Sequence, residues 1–532
     1  MSRLAGTREL TRLAWRRDRV LVPASVLGLV VLSVGSAQAT LDLYPTDADA
    51  AAGLAGIVSN PAVLAMYGPL AAQTADALAV FKTVMMGAVL TSVLALVVVR
   101  RHTRTEEEDG RLELLGSGVV GRWAPLAAAV GVAVTAVLAA SALSAAGLAA
   151  VGTDPAGAVA FGVSWATAGL AWTGITAVAV QVASTARGAG GLAFGALGAA
   201  FLVRAAADTA AAGTVVHDLG WLSPLGWAGR VEAYGANRLW VLALGVAVLA
   251  GGVGLGAVML GRRDLGGGLL PARLGPPRAG RLLSSPLGLV GRLATGTLVG
   301  WAVGLVLGGV VVGSLLGSVG DLADNPQMRQ VLEALGGSAG TVEDIYLATE
   351  TTVVAAAVSA AGIALVLRLA SAERRGLGEA VLSTPTSRWR WYAAHVLVGL
   401  ALPAVLMTVL GLTVGVVGPL AGDAAPGPVA MLGAAWSTLP AVWVLVGVAA
   451  ALAGSSPRFA PTAWAVALVA FVVGELGPTM RLPSWLVDLS PFAHLSQLPG
   501  GSFAGAEALS LVAVAAVLVA AGAAGYGRRD VA

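Results

Sequence analysis

The chain has 532 residues, of which 57% are hydrophobic and only 11% charged, and its mean hydropathy is +0.83. A soluble domain carries roughly 25% charged residues, so this composition excludes a soluble enzyme, a disordered protein and a nucleic-acid binder, and leaves an all-α polytopic membrane protein. The net charge is +3, every basic residue except Lys82 is arginine, and cysteine is absent, which removes disulfides, thiolate metal sites and catalytic thiols.

At the N-terminus, Arg3, Arg8, Arg12, Arg16, Arg17 and Arg19 precede the first apolar run. The stretch from Glu9 to Arg19 is basic and amphipathic, which suits a helix lying along the cytoplasmic membrane surface. No small-residue cleavage pattern follows a short apolar core, so no cleaved signal peptide is expected. Apolar runs of about 20 residues cross ~30 Å of hydrocarbon. On that length the sequence predicts twelve transmembrane helices, at 20–39, 82–99, 124–150, 157–182, 191–209, 239–259, 296–318, 350–369, 391–418, 428–453, 461–477 and 504–526. The runs at 191–209 and 461–477 are short or interrupted by charge.

With the N-terminus inside, the outer segments hold only Arg230, Arg238, Arg329 and Arg481, and Arg204 lies in a span. All other arginines fall on the inner side, as positive-inside topology requires. Both termini are therefore expected to be cytoplasmic. The Ala, Arg and Gly usage resembles that of a high-GC bacterium, which places the chain in a bacterial cytoplasmic membrane.

The chain repeats itself at an offset of 266 residues. The loop after the second span, Thr105 to Trp123, aligns without gaps with the loop after the eighth, Ser371 to Trp389. They share Glu107/Glu373, Gly110/Gly376, Glu113/Glu379, Ser117/Ser383, Arg122/Arg388 and Trp123/Trp389. The same offset pairs Gly261-Arg262-Arg263-Asp264 with Gly527-Arg528-Arg529-Asp530. One residue further, Ser223-Pro224 pairs with Ser490-Pro491, and Asp208 with Glu475. Matches in polar loops are harder to obtain by chance than matches between apolar spans. They predict a tandem duplication of a six-span unit: residues 1–265, with the amphipathic helix, and 266–532, opened by a cytoplasmic linker rich in Gly and Pro at 266–280. Parallel halves of this kind are found in transporters.

On a continuous helix, the positions of Glu107, Gly110 and Glu113 fall within an arc of ~120°, and so do Glu373, Gly376 and Glu379. That arc presents two carboxylates around a glycine, where a partner's backbone approaches closely. Thr105 and Glu108 fit a capping box, and the acidic run Glu106–Asp109 suits a helix N-terminus. Arg122 with Trp123, and Arg388 with Trp389, stand where the next span enters the membrane and are expected to anchor the interface. Acidic residues contribute nothing to positive-inside topology, so their recurrence points to docking helices for a cytoplasmic subunit.

The Glu-x-x-Gly-x-x-Glu loop between the second and third spans resembles that of ABC-2 type exporter permeases. The doubled twelve-span layout is similar to the actinobacterial branch that exports polyketide antibiotics, the tetronasin-type permeases. The resemblance implies that Glu107, Gly110, Glu113, Glu373, Gly376 and Glu379 couple the permease to its ATPase, and that the substrate is a lipophilic compound such as an antibiotic or drug. It also implies that the outer segments 210–238 and 478–503, which carry the Trp221–Trp227 stretch, Trp485 and Pro491, form short re-entrant helices near the exit. The second loop departs from the pattern, with Arg374 and Arg375 where the first has Glu108 and Asp109.

A phosphate-binding loop needs a lysine after a glycine, and the only lysine, Lys82, follows Phe81. The chain is thus expected to bind no cofactor or metal itself and not to be the enzyme. ATP and Mg would be held by two copies of a separate ATPase subunit. The rival reading is a proton-driven twelve-helix efflux carrier, which would place ionisable residues within the membrane. Its candidates are Arg204, Asp208 and Glu475, which lie toward outer ends of spans and read better as interface-anchored or locally paired charges. The acidic loop between the second and third spans also differs from the basic loop found there in such carriers. The four histidines, His102, His217, His395 and His494, form no metal-ligand spacing or nucleophile motif, and His395 reads as packed.

Overall fold

In a computed structural model, residues 2–54, 61–116, 118–270, 277–278, 280–317, 341–422, 425–476 and 483–530 are described. The chain divides into two units, Met1–Gly275 and Pro276–Ala532. All regular structure among the described residues is helical.

The first unit opens with α1 (Thr7–Arg17) and α2 (Leu21–Leu43). A short helix, α3 (Pro61–Tyr67), precedes the long α4 (Ala75–Glu108). Another short helix, α5 (Arg111–Gly116), leads to α6 (Ala124–Ala150), α7 (Pro155–Val182), α8 (Ala186–Thr209) and α9 (Leu239–Arg262). Side-chain caps set the starts of these rods. Thr74 accepts from Ala77 N, Asp154 from Gly157 N, and Thr185 from Gly188 N, each satisfying a backbone donor that the helix itself leaves orphaned.

The core of this unit forms around α7, whose apolar stretch is 83% buried, against 17% for α9. Trp165 and Trp172 of α7 are wholly enclosed, and Trp165 Nε1 donates to the Thr83 carbonyl at 3.1 Å. Helices α7 and α9 touch backbone to backbone. A methyl on Gly174 would stand 2.3 Å from Val248 O, and one on Gly252 would stand 2.4 Å from Gly174 O. Lipid offers no hydrophobic drive for helix association, so small residues that allow close approach carry it.

The second unit repeats the plan with α10 (Pro286–Ser314), α11 (Val342–Arg374), the short α12 (Leu377–Leu382), α13 (Arg388–Ala421), α14 (Pro428–Ser455), α15 (Ala463–Leu476) and α16 (Gly505–Arg528). Here α14 takes the central place, with 78% of its apolar stretch buried.

Eleven of the helices among the described residues are long and apolar enough to cross a membrane. The expected span at 461–477 appears as α15, a 14-residue helix. Its described residues run about 21 Å at 1.5 Å per residue, and the residues that follow it, 477–482, lie outside the described ones. The chain is a multi-pass membrane protein of roughly twelve helices. Part of the expected linker (271–276 and 279), most of the outer loop 319–349, Arg329, Arg481 and Ser117 lie outside the described residues.

Candidate functional site: two recurrent loop joints

The capping box expected at Thr105 does not form. Helix α4 runs on without a break, in π-helical geometry over Arg101–Thr105 and then as α-helix to Glu108, and Thr105 is helical with no side-chain cap. A capping box is a local preference. Here Glu108 is drawn away instead, accepting from the Ala186 amide at the start of α8 at 2.8 Å.

The helix ends at Gly110, whose φ is +72°, and its counterpart Gly376 has φ +68°. Only a residue without Cβ takes this left-handed turn freely, and it is the usual helix stop. Gly110 N bonds to Glu107 O at 3.1 Å and Gly376 N to Glu373 O at 3.0 Å. The single helical arc expected for Glu, Gly and Glu is therefore corrected. The glycine breaks the helix, and the two glutamates stand on different elements.

Their environments also differ. Glu107 is 6% exposed, and both its oxygens meet Arg263, Oε1 to Nη1 at 2.6 Å and Oε2 to Nη2 at 2.9 Å. Arg104 Nη1 adds a second guanidinium at 3.0 Å, and Gly266 N donates to Oε1 at 2.8 Å. Arg263 is held in turn by Gln181 Oε1 at 2.7 Å, and its carbonyl accepts from Arg122 Nη2.

The second unit builds the same joint from residues 266 positions later. Glu373 Oε1 and Oε2 meet Arg529 Nη1 and Nη2, each at 2.7 Å, and Arg388 Nη1 donates to Arg529 O at 3.0 Å. Arg263 and Arg529 are both the extended residue that caps the last helix of their unit. Each joint thus ties three elements: the end of the loop-bearing span, the start of the next span and the end of the last span. Bidentate Arg–carboxylate pairs fix geometry as well as adding energy.

The rest of the acidic run is also engaged. Glu106 pairs with Arg17 of α1 and, at 3.0 Å, with Arg111. The charge inversion between loops follows the polarity of the partner: where Glu108 accepts from an amide, Arg374 donates to the Pro457 carbonyl at 3.1 Å. Glu113 on α5 and Glu379 on α12 are exposed. An open cleft of about 360 Å3 adjoins α5, lined by Leu112, Leu115, Leu126 and Leu260 with the Glu107–Arg263 pair in its wall.

Arg122 and Arg388, the expected interface anchors, each grip a backbone carbonyl. Trp123 lies against Arg3, whose guanidinium sits 4.8 Å from the ring, whereas Trp389 is 60% exposed and stacks near Tyr392. Arg204 is fully buried. It pairs with Asp208 at 3.1 Å, bonds the carbonyls of Ala65 and Met66 at the end of α3, and lies over the Phe201 ring. It is a locally paired charge that also caps a short helix. The Glu475 side chain lies outside the described residues. His395 is packed edge-on against Trp391. No group of three or more potential metal ligands occurs among the described residues.

The described residues of the segments expected to lie outside, 210–238 and 483–503, fold back on their spans. Ser223 Oγ donates to Ala200 O and Ser490 Oγ to Ala470 O, both at 2.7 Å. Ala200 lies about 13 Å from the end of α8 at 1.5 Å per residue.

Sequence reasoning did not single out Arg263 and Arg529 as partners, nor Arg104 and Gln181. The signal was present, because the repeated Gly-Arg-Arg-Asp and the repeated glutamate are opposite charges at one offset.

Apolar rods packed through small residues, with charge gathered at their ends, define a multi-pass membrane protein. The whole chain is 39% identical over 533 residues to a protein of Mycobacterium tuberculosis (strain ATCC 25618 / H37Rv) described as multidrug efflux system permease protein Rv1217c, covering 100% of this chain and 96% of the relative. Residues 283–527 match the family described as multidrug efflux system permease Rv1217c, C-terminal domain. The chain belongs to this family of Rv1217c-like multidrug efflux permeases.

Proposed function

We propose that the chain is the permease subunit of an ABC-2 type, ATP-driven exporter of lipophilic compounds, akin to the tetronasin branch. In this reading it resides in the bacterial cytoplasmic membrane with both termini inside. Two copies of a separate ATPase subunit, which hold ATP and Mg, dock on loops 105–123 and 371–389. The single observation that carries the reading is the recurrence of the Glu–Arg joint in both units, Glu107 to Arg263 and Glu373 to Arg529.

A loop that merely linked two spans would not need a buried bidentate lock to a third. With the lock, a push on the exposed face of α5 or α12 reaches the end of the last span without being lost in side-chain motion. The exposed Glu113 and Glu379 are the docking charges, and Glu107 and Glu373 are the transmission. Apolar helices around a central buried one suit a large lipophilic cargo, as the relative's description as a multidrug permease also suggests.

The test reverses the exposed pair, Glu113→Arg with Glu379→Arg, in the full chain. Like charges facing across an interface cost several kcal/mol, so ATPase association is expected to weaken at least about 100-fold, with efflux lost. Unchanged association and unchanged efflux would contradict the reading.

A further inference from the structure

Helix α1 carries a charged face that the loop joints do not use. Arg8, Arg12 and Arg16 recur every four residues, which puts them on one side of the helix, and Arg19 follows just before α2. All four are exposed, and none of them forms an ion pair among the described residues. The other side of α1 is occupied: Ala14 is 3% exposed, and Leu10 and Leu13 face the crevice that Leu112, Leu115 and Pro125 also line.

The helix is fastened at both ends. Gly121 N bonds to Ala5 O at 2.8 Å and Trp123 N to Arg3 O at 3.0 Å. At its far end Arg17 pairs with Glu106, and the buried Asp18 meets His102 at 2.6 Å and Arg101 at 3.0 Å. Only Asp18, Arg19 and Val20 separate α1 from the membrane span α2, and Arg3 at its other end packs on Trp123 at the start of α6, so α1 lies beside the ends of two spans.

We propose that Arg8, Arg12, Arg16 and Arg19 form a binding face for anionic phospholipid headgroups of the inner leaflet, and that α1 braces the first loop joint against that leaflet. The proposal rests on the inward orientation of the N-terminus argued above. It does not depend on the ATPase. Four unpaired cations beside an anionic surface are complementary in charge, and each basic residue near such a surface contributes about fivefold in affinity. The ties to Glu106 and Trp123 then connect the lipid face to α5 and to the start of α6.

The test uses the full chain in neutral detergent, titrated with tail-labelled phosphatidylglycerol and, separately, tail-labelled phosphatidylcholine. At low salt the expected result is preferential binding of phosphatidylglycerol, lost when Arg8, Arg12, Arg16 and Arg19 are all changed to Gln and kept when all four become Lys. The preference should collapse in about 1 M salt, where the screening length falls to about 3 Å. No preference in the unaltered chain at low salt overturns the proposal whether or not the Gln variant folds. It is equally overturned if a folded Gln variant keeps the preference, or if inorganic phosphate competes as well as the lipid, which would mark a small-anion site. Loss of ATPase association in the Gln variant with lipid preference intact would make the face a protein dock and would also overturn it.

Discussion

A buried carboxylate that meets a guanidinium through both oxygens behaves as a hinge pin, and its removal leaves a charge with nowhere to go. Glu107 and Arg263 have side chains only 3% and 6% exposed. Breaking such a pair from one side costs about 3–5 kcal/mol. Glu107→Ala is accordingly expected to lower the thermal midpoint of the purified full chain, and a midpoint equal to the parent's would show that the pair is incidental. In the second unit Glu373 has the simpler environment, so the reciprocal exchange Glu373→Arg with Arg529→Glu is expected to restore much of the stability and efflux that either single change removes. Recovery of neither would count against a direct pairing. At Gly110 and Gly376, alanine would have to adopt the left-handed turn, which costs roughly 1–2 kcal/mol. The expected outcome is a folded protein with impaired transport, checked by efflux alongside the melting curve. The glutamate, the glycine and the two arginines that both joints share could be read as repeated, whereas Arg104 and Gln181 have no counterpart at that offset. Which of them pair could not, because pairing joins positions more than 150 apart that only packing brings together, 156 apart for Glu107 and Arg263.

At the scale of elements, the spans were legible because length and apolarity are summed along the chain and tolerate local noise. Their ends were not. The capping signal at Thr105 lost to a helix that continues through the π-helical turn, with buried His102, Thr103 and Arg104 facing neighbouring elements. The docking arc failed for a similar reason, since a glycine inside an assumed helix was read as a close-approach site when it is the stop. Of the span at 461–477, the described residues show α15. Glycines between helices offer a direct test of packing. Gly252→Leu would drive a side chain into the Gly174 carbonyl 2.4 Å from the added Cβ, and overpacking of this kind costs typically 1–3 kcal/mol. The expected readout is a lower melting midpoint and weaker expression, whereas Gly251→Leu, with open space around it, should be close to neutral. Equal damage from both would show that α7 and α9 do not approach as described.

For the whole molecule, the repetition of the joint in two separately packed units carries the functional account. A duplicated loop retained only for topology would keep its arginines and let its glutamates drift. Here each unit keeps the glutamate, the glycine, the arginine at the next span and the arginine at the end of the last one. Of the charges that a proton carrier would use, Arg204 and Asp208 are already paired with each other. The direct measurement is uptake of a lipophilic dye by inside-out vesicles carrying this chain with its native partners, with ATP supplied and the proton gradient collapsed by an uncoupler. The account predicts that uptake persists under the uncoupler and stops when ATP hydrolysis is blocked with vanadate; uptake that vanishes with the proton gradient and ignores vanadate would contradict it.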